Sequence, residues 1–151
     1  SYKDGAIYVL NNQEGNADIL DDIVHEIGHS VEDNHQDLVY GDGALEMEFL
    51  KKREILRKEF SKEGIEVPED VMSNPDYDQN LDMFFSEKVG YPRMTAIVQG
   101  IFYSPYAATS LREYFANGFE AHYYHRDVYL QKVSPVLYDK ISKLEELHNE
   151  T

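Results

Sequence analysis

Hydrophobic and polar residues follow a helical period along most of the chain. Between residues 18 and 34, branched aliphatic residues recur at every fourth position: Ile19, Ile23, Ile27 and Val31. This spacing places them in one stripe along an α-helix. Polar and charged residues fill the other side, so the pattern predicts an amphipathic helix whose main apolar contact is made by this stripe.

Further helices are predicted over residues 44–63, 80–89, 110–125 and 134–148. The helix over 110–125 opens with a Ser-x-x-Glu capping box, and the last helix opens with Ser-Pro, which favours a helix start. Residues 64–78 are rich in Pro, Asn and Asp and predict a surface loop. The apolar stretch 95–103 fits either a helix or a buried strand.

The predicted helix over residues 44–63 has two contrasting sides. Its expected buried side is apolar and consists of Leu45, Phe49, Leu56 and Phe60. Its basic residues are expected in water, as is usual for a run of like charge on a helix. These basic residues are Lys51, Lys52, Arg53, Arg57 and Lys58.

Residues 5–10, Gly-Ala-Ile-Tyr-Val-Leu, carry the one convincing strand pattern, and turn residues follow them. The predicted fold class is therefore α+β but mainly α, with all 151 residues in a single domain. The chain opens at Ser1 without an initiator Met or a basic, apolar leader. We therefore expect a processed form or a piece of a larger protein.

Composition excludes several classes of function. The chain has 14 Lys and Arg against 29 Asp and Glu, a net charge of −15, which opposes binding to nucleic acid. No apolar run approaches the length of a membrane span. The absence of cysteine excludes disulfides, thiolate metal ligands and cysteine nucleophiles. The net charge favours basic or neutral peptides as partners, and the sequence does not indicate an oligomeric state.

The most informative motif lies inside the first predicted helix, where residues 25–29 have the form His-Glu-x-x-His. Two histidines four residues apart leave a helix about 40° apart, so both imidazoles can reach one ion. Catalytic zinc sites use such imidazoles and keep one position for water, whose proton a neighbouring glutamate accepts. The motif predicts His25 and His29 as zinc ligands and Glu26 as general base. The same pattern also fits two solvated histidines on a polar helix face.

A zinc site of this kind needs a third protein ligand. The candidates by residue type are His35, His122, His125, His148, Glu113 and Glu120. The metzincin arrangement of a third histidine fails because position 32 is Glu. Glu113, Asn117 and Glu120 are spaced i, i+4 and i+7, so they share one face of their predicted helix. Spacing alone leaves both Glu113 and Glu120 open as the third ligand, and Glu113 also fits a purely structural capping box with Ser110.

A second block strengthens the motif. His-Glu-Ile-Gly-His-Ser-Val-Glu-Asp over residues 25–33 is followed by Tyr106, seven residues before Glu-Tyr-Phe-Ala-Asn-Gly-Phe over 113–119. Together these blocks resemble the catalytic domain of anthrax lethal factor and its relatives, among them the secreted Pro-Pro endopeptidases. The resemblance implies a zincin-like fold, in which the active-site helix lies beside a small or truncated sheet. It also implies zinc as cofactor and a protein or peptide substrate.

The resemblance assigns roles by position. It implies His25, His29 and Glu113 as zinc ligands, Glu26 as the general base and Tyr106 as the hydrogen-bond donor to the oxyanion. Glu113 is therefore the favoured third ligand, and Glu120 is the reserve. The implied activity is that of a zinc metalloendopeptidase of gluzincin type. The implied localisation is secreted or exported, with a bacterial or phage origin.

The chain departs from the family pattern at two places. Asn117 stands where relatives commonly have a second Glu, so the residues that orient the ligands are expected to differ. The gap between His29 and Tyr106 is longer than in lethal factor, so residues 64–105 include a predicted insertion for substrate gating or docking. Asp33 fits equally well a group that orients a ligand and a solvated charge.

A second hypothesis belongs to a different class of protein. The same residues fit a zinc-binding interaction or structural domain without turnover, within a toxin or virion assembly. Glu26 favours the enzyme, because a purely structural zinc site does not need a base. Zinc binding combined with an absence of peptide cleavage would favour the interaction domain.

Overall fold

The structure, a computed structural model, describes the backbone of residues 13–149 and the side chains of residues 19–147. The regular structure of residues 13–149 is helical throughout, with no β-strand, which confirms the prediction of a mainly helical chain. The strand predicted over residues 5–10 lies outside the described residues. None of the described helices combines the length and the apolar character needed to cross a lipid bilayer.

Nine α-helices follow one another between residues 13 and 149, joined by short turns. They are α1 (Gln13–Asn34), α2 (Gln36–Tyr40), α3 (Ala44–Lys62), α4 (Glu69–Met72), α5 (Gln79–Met83), α6 (Tyr91–Val98), α7 (Leu111–Tyr123), α8 (Asp127–Val133) and α9 (Pro135–Asn149). A π-helical segment, Phe84–Gly90, continues α5, and a 3₁₀ turn, Pro105–Ala108, precedes α7. The longest helices are α1, α3, α7 and α9.

Helix α3 contributes much of the hydrophobic core. The four apolar residues predicted for its buried side have no exposed surface, which confirms that part of the pattern. The ring centroid of Phe49 lies 6.0 Å from that of Phe102 and 5.4 Å from that of Tyr114. These aromatic contacts pack α3 against α7 and so support the helix that carries Glu113.

Two of the basic residues predicted on the solvated side of α3 are instead buried, with Lys52 7% and Arg53 0% exposed. The Arg53 guanidinium donates to the carbonyl oxygens of Ala108 at 2.7 Å, Met72 at 3.0 Å and Thr109 at 3.0 Å. These bonds satisfy buried carbonyl groups and join α3 to two distant segments. The prediction was wrong because a run of like charge does not reveal which carbonyl groups arrive from elsewhere in the fold.

Lys52, the residue before Arg53 on α3, also donates hydrogen bonds to distant segments of the chain. Its ammonium group donates to the carbonyl oxygens of Ile101 and Val133 and, at 2.9 Å, to the hydroxyl of Ser134. Burial lowers the pKa of Lys52 to about 8. The side chain therefore ties α3 to the ends of α6 and α8.

The predicted apolar stripe is not the main packing face of α1. The residues of α1 that the structure shows as buried are Val24, Gly28 and Glu32, spaced by four. Ile27 is 46% exposed and lines an open groove together with Val31. The predicted contact was wrong because the buried face is centred on Gly28, one position from the stripe, and includes the polar Glu32.

Gly28 allows α1 and α7 to approach closely. A Cβ atom at this position would lie 3.3 Å from Phe119 side-chain atoms and 3.4 Å from the Cα of Ala116. Helices pack at their shortest separations where the facing side chains are small. The two helices that carry the predicted ligands are therefore held side by side.

Some predicted bounds differ from the structure. The helix predicted over 80–89 is α5 followed by the π-helical segment, and the stretch 95–103 contains the end of α6 and then a turn. Gly90 and Gly100, with φ of 86° and 79°, mark the start and the end of α6. The loop predicted over 64–78 contains the one-turn helix α4, and α8 was not predicted.

Candidate metal centre

The candidate site forms where α1 faces the first turn of α7. His25 and His29 lie on α1, and Glu113 lies on α7. The Ser110 hydroxyl caps α7 by accepting a hydrogen bond from the Glu113 N–H at 3.1 Å. The Glu113 carboxylate faces the histidines instead of the backbone. Helix capping and metal ligation therefore involve different atoms of Glu113 and do not compete.

The three predicted ligands come together at one point. His25 Nε2 lies 2.7 Å from Glu113 Oε2, and His29 Nε2 lies 3.1 Å from Glu113 Oε1. One ligand atom from each residue lies within 4.8 Å of the others. The three side chains are 17–18% exposed, so the site is mostly shielded but still accessible to solvent. This group can hold a metal ion.

The electrostatics of the group favour a positive charge between the three side chains. Hydrogen bonding to the Glu113 carboxylate raises the pKa of His25 to about 10 and that of His29 to about 9. Burial opposes the charge on Glu113, but the two imidazoles outweigh it and lower its pKa to about 2. Protons therefore occupy, in the protein without metal, the positions where a cation would bind.

The donor set fits a divalent transition metal. Two imidazole nitrogens and one carboxylate oxygen are ligands that zinc accepts in catalytic sites. Both Nε2 atoms point to the same carboxylate, so the donors surround a common point instead of facing apart. A metal ion would displace the protons from both imidazoles and take over their interaction with Glu113.

Glu120, which was predicted as the reserve third ligand, does not lie beside Glu113 but next to the other ring nitrogen of His25. Its Oε1 lies 2.5 Å from His25 Nδ1, the ring nitrogen that points away from Glu113. A carboxylate on one imidazole nitrogen fixes the tautomer and the ring orientation, so that the other nitrogen can bind a metal. Glu120 therefore orients His25, while Glu113 completes the ligand group.

Glu32 is a site residue to which the sequence motifs assign no role. It is fully buried, and its Oε2 lies 3.9 Å from His29 Nδ1, beyond hydrogen-bond distance. Its Oε1 accepts a hydrogen bond from Arg112 Nε at 2.6 Å, and Arg112 Nη2 also donates to Asp33 at 3.0 Å. Asp33 thus holds Arg112, and Glu32 is the carboxylate next to His29. Burial opposes the charge of Glu32, but His29 and Arg112 lower its pKa.

Tyr106 lies at the edge of the metal centre. It belongs to the 3₁₀ turn before α7, is 44% exposed, and its ring centroid lies 5.6 Å from that of His25. The segment before it is held to α7, because the Ser104 hydroxyl donates to Asn117 Oδ1 at 2.9 Å. Asn117 therefore supports the chain that carries Tyr106 and does not bind either histidine.

The phenol of Tyr106 stays protonated over a wide pH range. Burial, followed by the charges of Glu113 and Asp82, raises its pKa to about 12. Asp82 also accepts a hydrogen bond from the Tyr77 hydroxyl at 2.8 Å. Both residues belong to the predicted insertion, residues 64–105, which therefore reaches the edge of the site.

Glu26 follows His25 directly on α1. It points about 100° away around the helix axis and is exposed. It forms no hydrogen bond or ion pair with another described residue. Its carboxylate is therefore exposed to solvent and engaged by no other side chain in the described part of the chain.

The other histidines named by residue type lie away from the metal centre. His35, between α1 and α2, has its Nδ1 3.0 Å from the carbonyl oxygen of Val31 in the last turn of α1. His122 lies between two carboxylates, each at 2.7 Å. His125 lines a separate cavity, and the side chain of His148 lies outside the described part of the chain.

No protein-family model matches the sequence, and neither a curated protein nor a solved structure matches it.

Proposed function

We propose that the chain is a zinc-dependent endopeptidase with a zincin-like fold. The observation that carries this proposal is the convergence of His25, His29 and Glu113 from two helices, with Glu26 beside His25. Two neighbouring features support it: Tyr106 beside the site and the partial solvent exposure of the ligand group. A structural zinc site commonly has four protein ligands, whereas three ligands leave room for a substrate.

Zinc bound by these residues would lower the pKa of water and polarise a peptide carbonyl group. Glu113 would neutralise part of the positive charge of the ion. The hydrogen bond from its N–H to the Ser110 hydroxyl fixes the position of residue 113 in the first turn of α7. Glu120 holds His25 through Nδ1, so the Nε2 lone pair of His25 faces the centre. The chain therefore supplies a preorganised set of donors.

Glu26 is the group that moves the proton in this proposal. Its carboxylate accepts a proton from the attacking water and then delivers it to the leaving amine. An exposed carboxylate one residue from a ligand suits this role, because it can contact water without joining the ligand group. Glu26 therefore acts as general base and then as general acid.

Tyr106 stabilises the negative charge that develops on the carbonyl oxygen of the scissile bond. Its pKa of about 12 keeps the phenol protonated, so it remains a hydrogen-bond donor at neutral pH. The 3₁₀ turn and the Ser104–Asn117 hydrogen bond hold its backbone next to the centre. Loss of the hydroxyl alone is expected to lower turnover while leaving the ligand group intact.

Peptide cleavage by zinc-loaded protein tests the proposal. Wild type, Glu26→Gln and the control Glu87→Gln, an exposed acidic residue of the π-helical segment, are incubated with a peptide library read by mass spectrometry. Glu26→Gln is expected to bind zinc normally and to lose about 100-fold or more in turnover, whereas Glu87→Gln keeps both properties.

Two results would contradict the peptidase proposal. Equal cleavage by wild type and Glu26→Gln would show that the proton transfer does not depend on Glu26. Zinc binding without cleavage of any library peptide would favour the interaction domain instead.

A further inference from the structure

A second concave surface adjoins the candidate metal centre. A cavity of about 940 Å³ opens between α6, α8 and the segment that joins α6 to the 3₁₀ turn. Ser104 and Pro105 line this cavity and directly precede Tyr106, whose ring lies 5.6 Å from that of His25. A peptide that crosses the metal centre would therefore reach the cavity within a few residues.

The charge of the cavity is opposite to that of the whole molecule. The chain has 29 acidic residues against 14 Lys and Arg, yet the cavity lining contains no acidic residue. The basic residues of the lining are His125, Arg126 and Lys132. Within residues 19–147, neither Arg126 nor Lys132 forms an ion pair. This lining is therefore a local positive surface on an acidic protein.

The walls of the cavity suit a peptide main chain. Tyr103 and Tyr129 pack against each other with ring centroids 6.1 Å apart, and both line the cavity together with the buried Val98 and Phe102. Burial raises the pKa of Tyr103, so its phenol stays protonated and can donate a hydrogen bond. Aromatic walls with polar tips combine apolar contact with hydrogen bonding.

An uncommon backbone turn brings the basic residues to the cavity. His125 has φ of 58°, the left-handed region that residues other than glycine rarely adopt. The Arg126 N–H donates to the carbonyl oxygen of Ala121 at 2.9 Å, which closes the end of α7. The chain thus reverses directly after α7 and places two consecutive basic side chains in the lining.

Two carboxylates near the cavity are bonded to groups other than its basic residues. Glu120 and Asp21 are close enough to Tyr103 to act on its pKa. Glu120 is paired with His25 at 2.5 Å, and Asp21 accepts a hydrogen bond from the Tyr124 hydroxyl at 2.6 Å. Neither carboxylate forms a direct ion pair with Arg126 or Lys132 in the described part of the chain.

We propose that this cavity binds a carboxylate of the peptide substrate, from an acidic side chain near the scissile bond or from the peptide C-terminus. The proposal rests on the peptidase function proposed above and specifies its substrate. It differs from the expectation based on net charge, because the charges nearest to the substrate dominate recognition once salt screens the distant ones.

Binding of matched peptides tests the cavity separately from catalysis. Metal-free Glu26→Gln protein is titrated against peptides of uncharged residues that carry one Glu or one Gln, each as a free acid and as a C-terminal amide, with a neutral dye. The Glu or free-acid peptides are expected to bind about tenfold more tightly than the uncharged peptide. The comparison of Glu with Gln peptides tests a side-chain carboxylate, and the comparison of free acids with amides tests the C-terminal carboxylate.

Charge reversal provides the matched control. Arg126→Glu with Lys132→Glu is expected to abolish the preference for Glu and to favour a Lys peptide. Lys51→Glu with Lys58→Glu, two exposed residues on α3, changes the net charge equally and is expected to keep the preference. Equal binding of all peptides, or equal effects of the two double variants, would overturn the proposal. Selective binding without cleavage would preserve the carboxylate site and remove the peptidase function.

Discussion

At the scale of single residues, each metal-centre histidine has a carboxylate beside its second ring nitrogen. Glu120 is hydrogen-bonded to His25, whereas Glu32 lies near His29 at 3.9 Å and is held by Arg112. Such neighbours fix imidazole orientation and raise the basicity of a ligand. His25 and His29 were predicted as ligands from the spacing of their motif, and Glu113 was predicted from the family resemblance.

The carboxylates that orient the histidines were harder to predict. Glu32 follows His29 by three residues, a spacing that many helical residues share, and its burial depends on α7 and Arg112. Glu120 was predicted only as a reserve ligand, because the sequence cannot tell which nitrogen of the His25 ring its carboxylate approaches. That depends on how far apart α1 and α7 lie and on how each helix is rotated about its axis.

Removal of Glu120 is predicted to weaken the metal site without unfolding the protein. Glu120→Ala leaves His25 Nδ1 without its carboxylate, so the ring loses its fixed orientation and zinc affinity falls about 10- to 100-fold. Glu145→Ala removes a carboxylate from His122, outside the centre, and is expected to leave zinc affinity unchanged. Competition titrations with a chromophoric chelator measure the zinc affinity of both variants. Equal affinities of Glu120→Ala and Glu145→Ala would exclude the proposed role of Glu120.

The metal-free protein is predicted to lose stability between pH 6.5 and pH 8. The pKa values of His25 and His29 are raised to about 10 and about 9, so the folded state keeps protons that the unfolded state releases above its pKa of 6.5. Their stabilising contribution is complete below pH 6.5 and is lost as pH rises through 9–10.

Urea unfolding with chelator present measures this dependence. The loss should be about 2 kcal/mol per pH unit between pH 6.5 and pH 8, because two imidazoles contribute, and His29→Gln should reduce it. Constant or rising stability over that range in the wild type would contradict the ion-pair account of the metal-free centre.

At the scale of helices, small residues control how the site is assembled. Gly28 brings α1 to α7, and Gly118 brings α9 to the other side of α7. A Cβ at position 118 would lie only 2.4 Å from Leu137 Cδ2, and Leu137 is itself buried. Glycines in helices weaken a helical interpretation of sequence, yet here they mark the closest contacts.

Gly118→Ala is predicted to destabilise the protein by about 1–3 kcal/mol, because the overlap with Leu137 outweighs the gain in helix propensity. Gly28→Ala is expected to cost less, since its Cβ would meet Phe119 at 3.3 Å. Thermal and urea unfolding of both variants test the order. A Gly118→Ala variant more stable than wild type would show that α9 can move away from α7 at little cost in free energy.

Arg53→Lys is predicted to be costly although the charge is kept. The lysine cannot reproduce the separate bonds from one guanidinium to the carbonyl oxygens of Ala108, Met72 and Thr109, so the expected loss is about 2–4 kcal/mol. Arg57→Lys on the same helix alters a surface pair with Glu54 and should change stability by under about 0.5 kcal/mol. Similar unfolding curves for the two variants would contradict the structural role of Arg53.

Helices were predictable where their pattern depends on local sequence. Helix α3 shows this best, because its four apolar residues repeat regularly and all are buried. Its charged side was mispredicted, since burial of Lys52 and Arg53 depends on carbonyl groups from distant turns. The short helix α8 and the π-helical segment lack a long period and depend on the tertiary fold in the same way.

At the scale of the whole molecule, net charge is a poor guide to local recognition. The chain carries −15, but the cavity beside the metal centre is lined by basic residues. The predicted preference for basic or neutral peptides therefore stands against a proposed preference for a carboxylate. The two preferences lead to opposite cleavage patterns, and the matched peptides described above distinguish them.

A zinc-binding isotherm of wild type and Glu113→Ala shows whether His25, His29 and Glu113 bind one divalent ion. Glu113→Ala keeps the backbone N–H that Ser110 caps, and Glu46→Ala in the first turn of α3 is the matched control. We expect one zinc per chain in wild type and control, and affinity at least about 100-fold weaker in Glu113→Ala. Equal affinity in all three proteins, or no zinc binding by the wild type, would contradict this expectation.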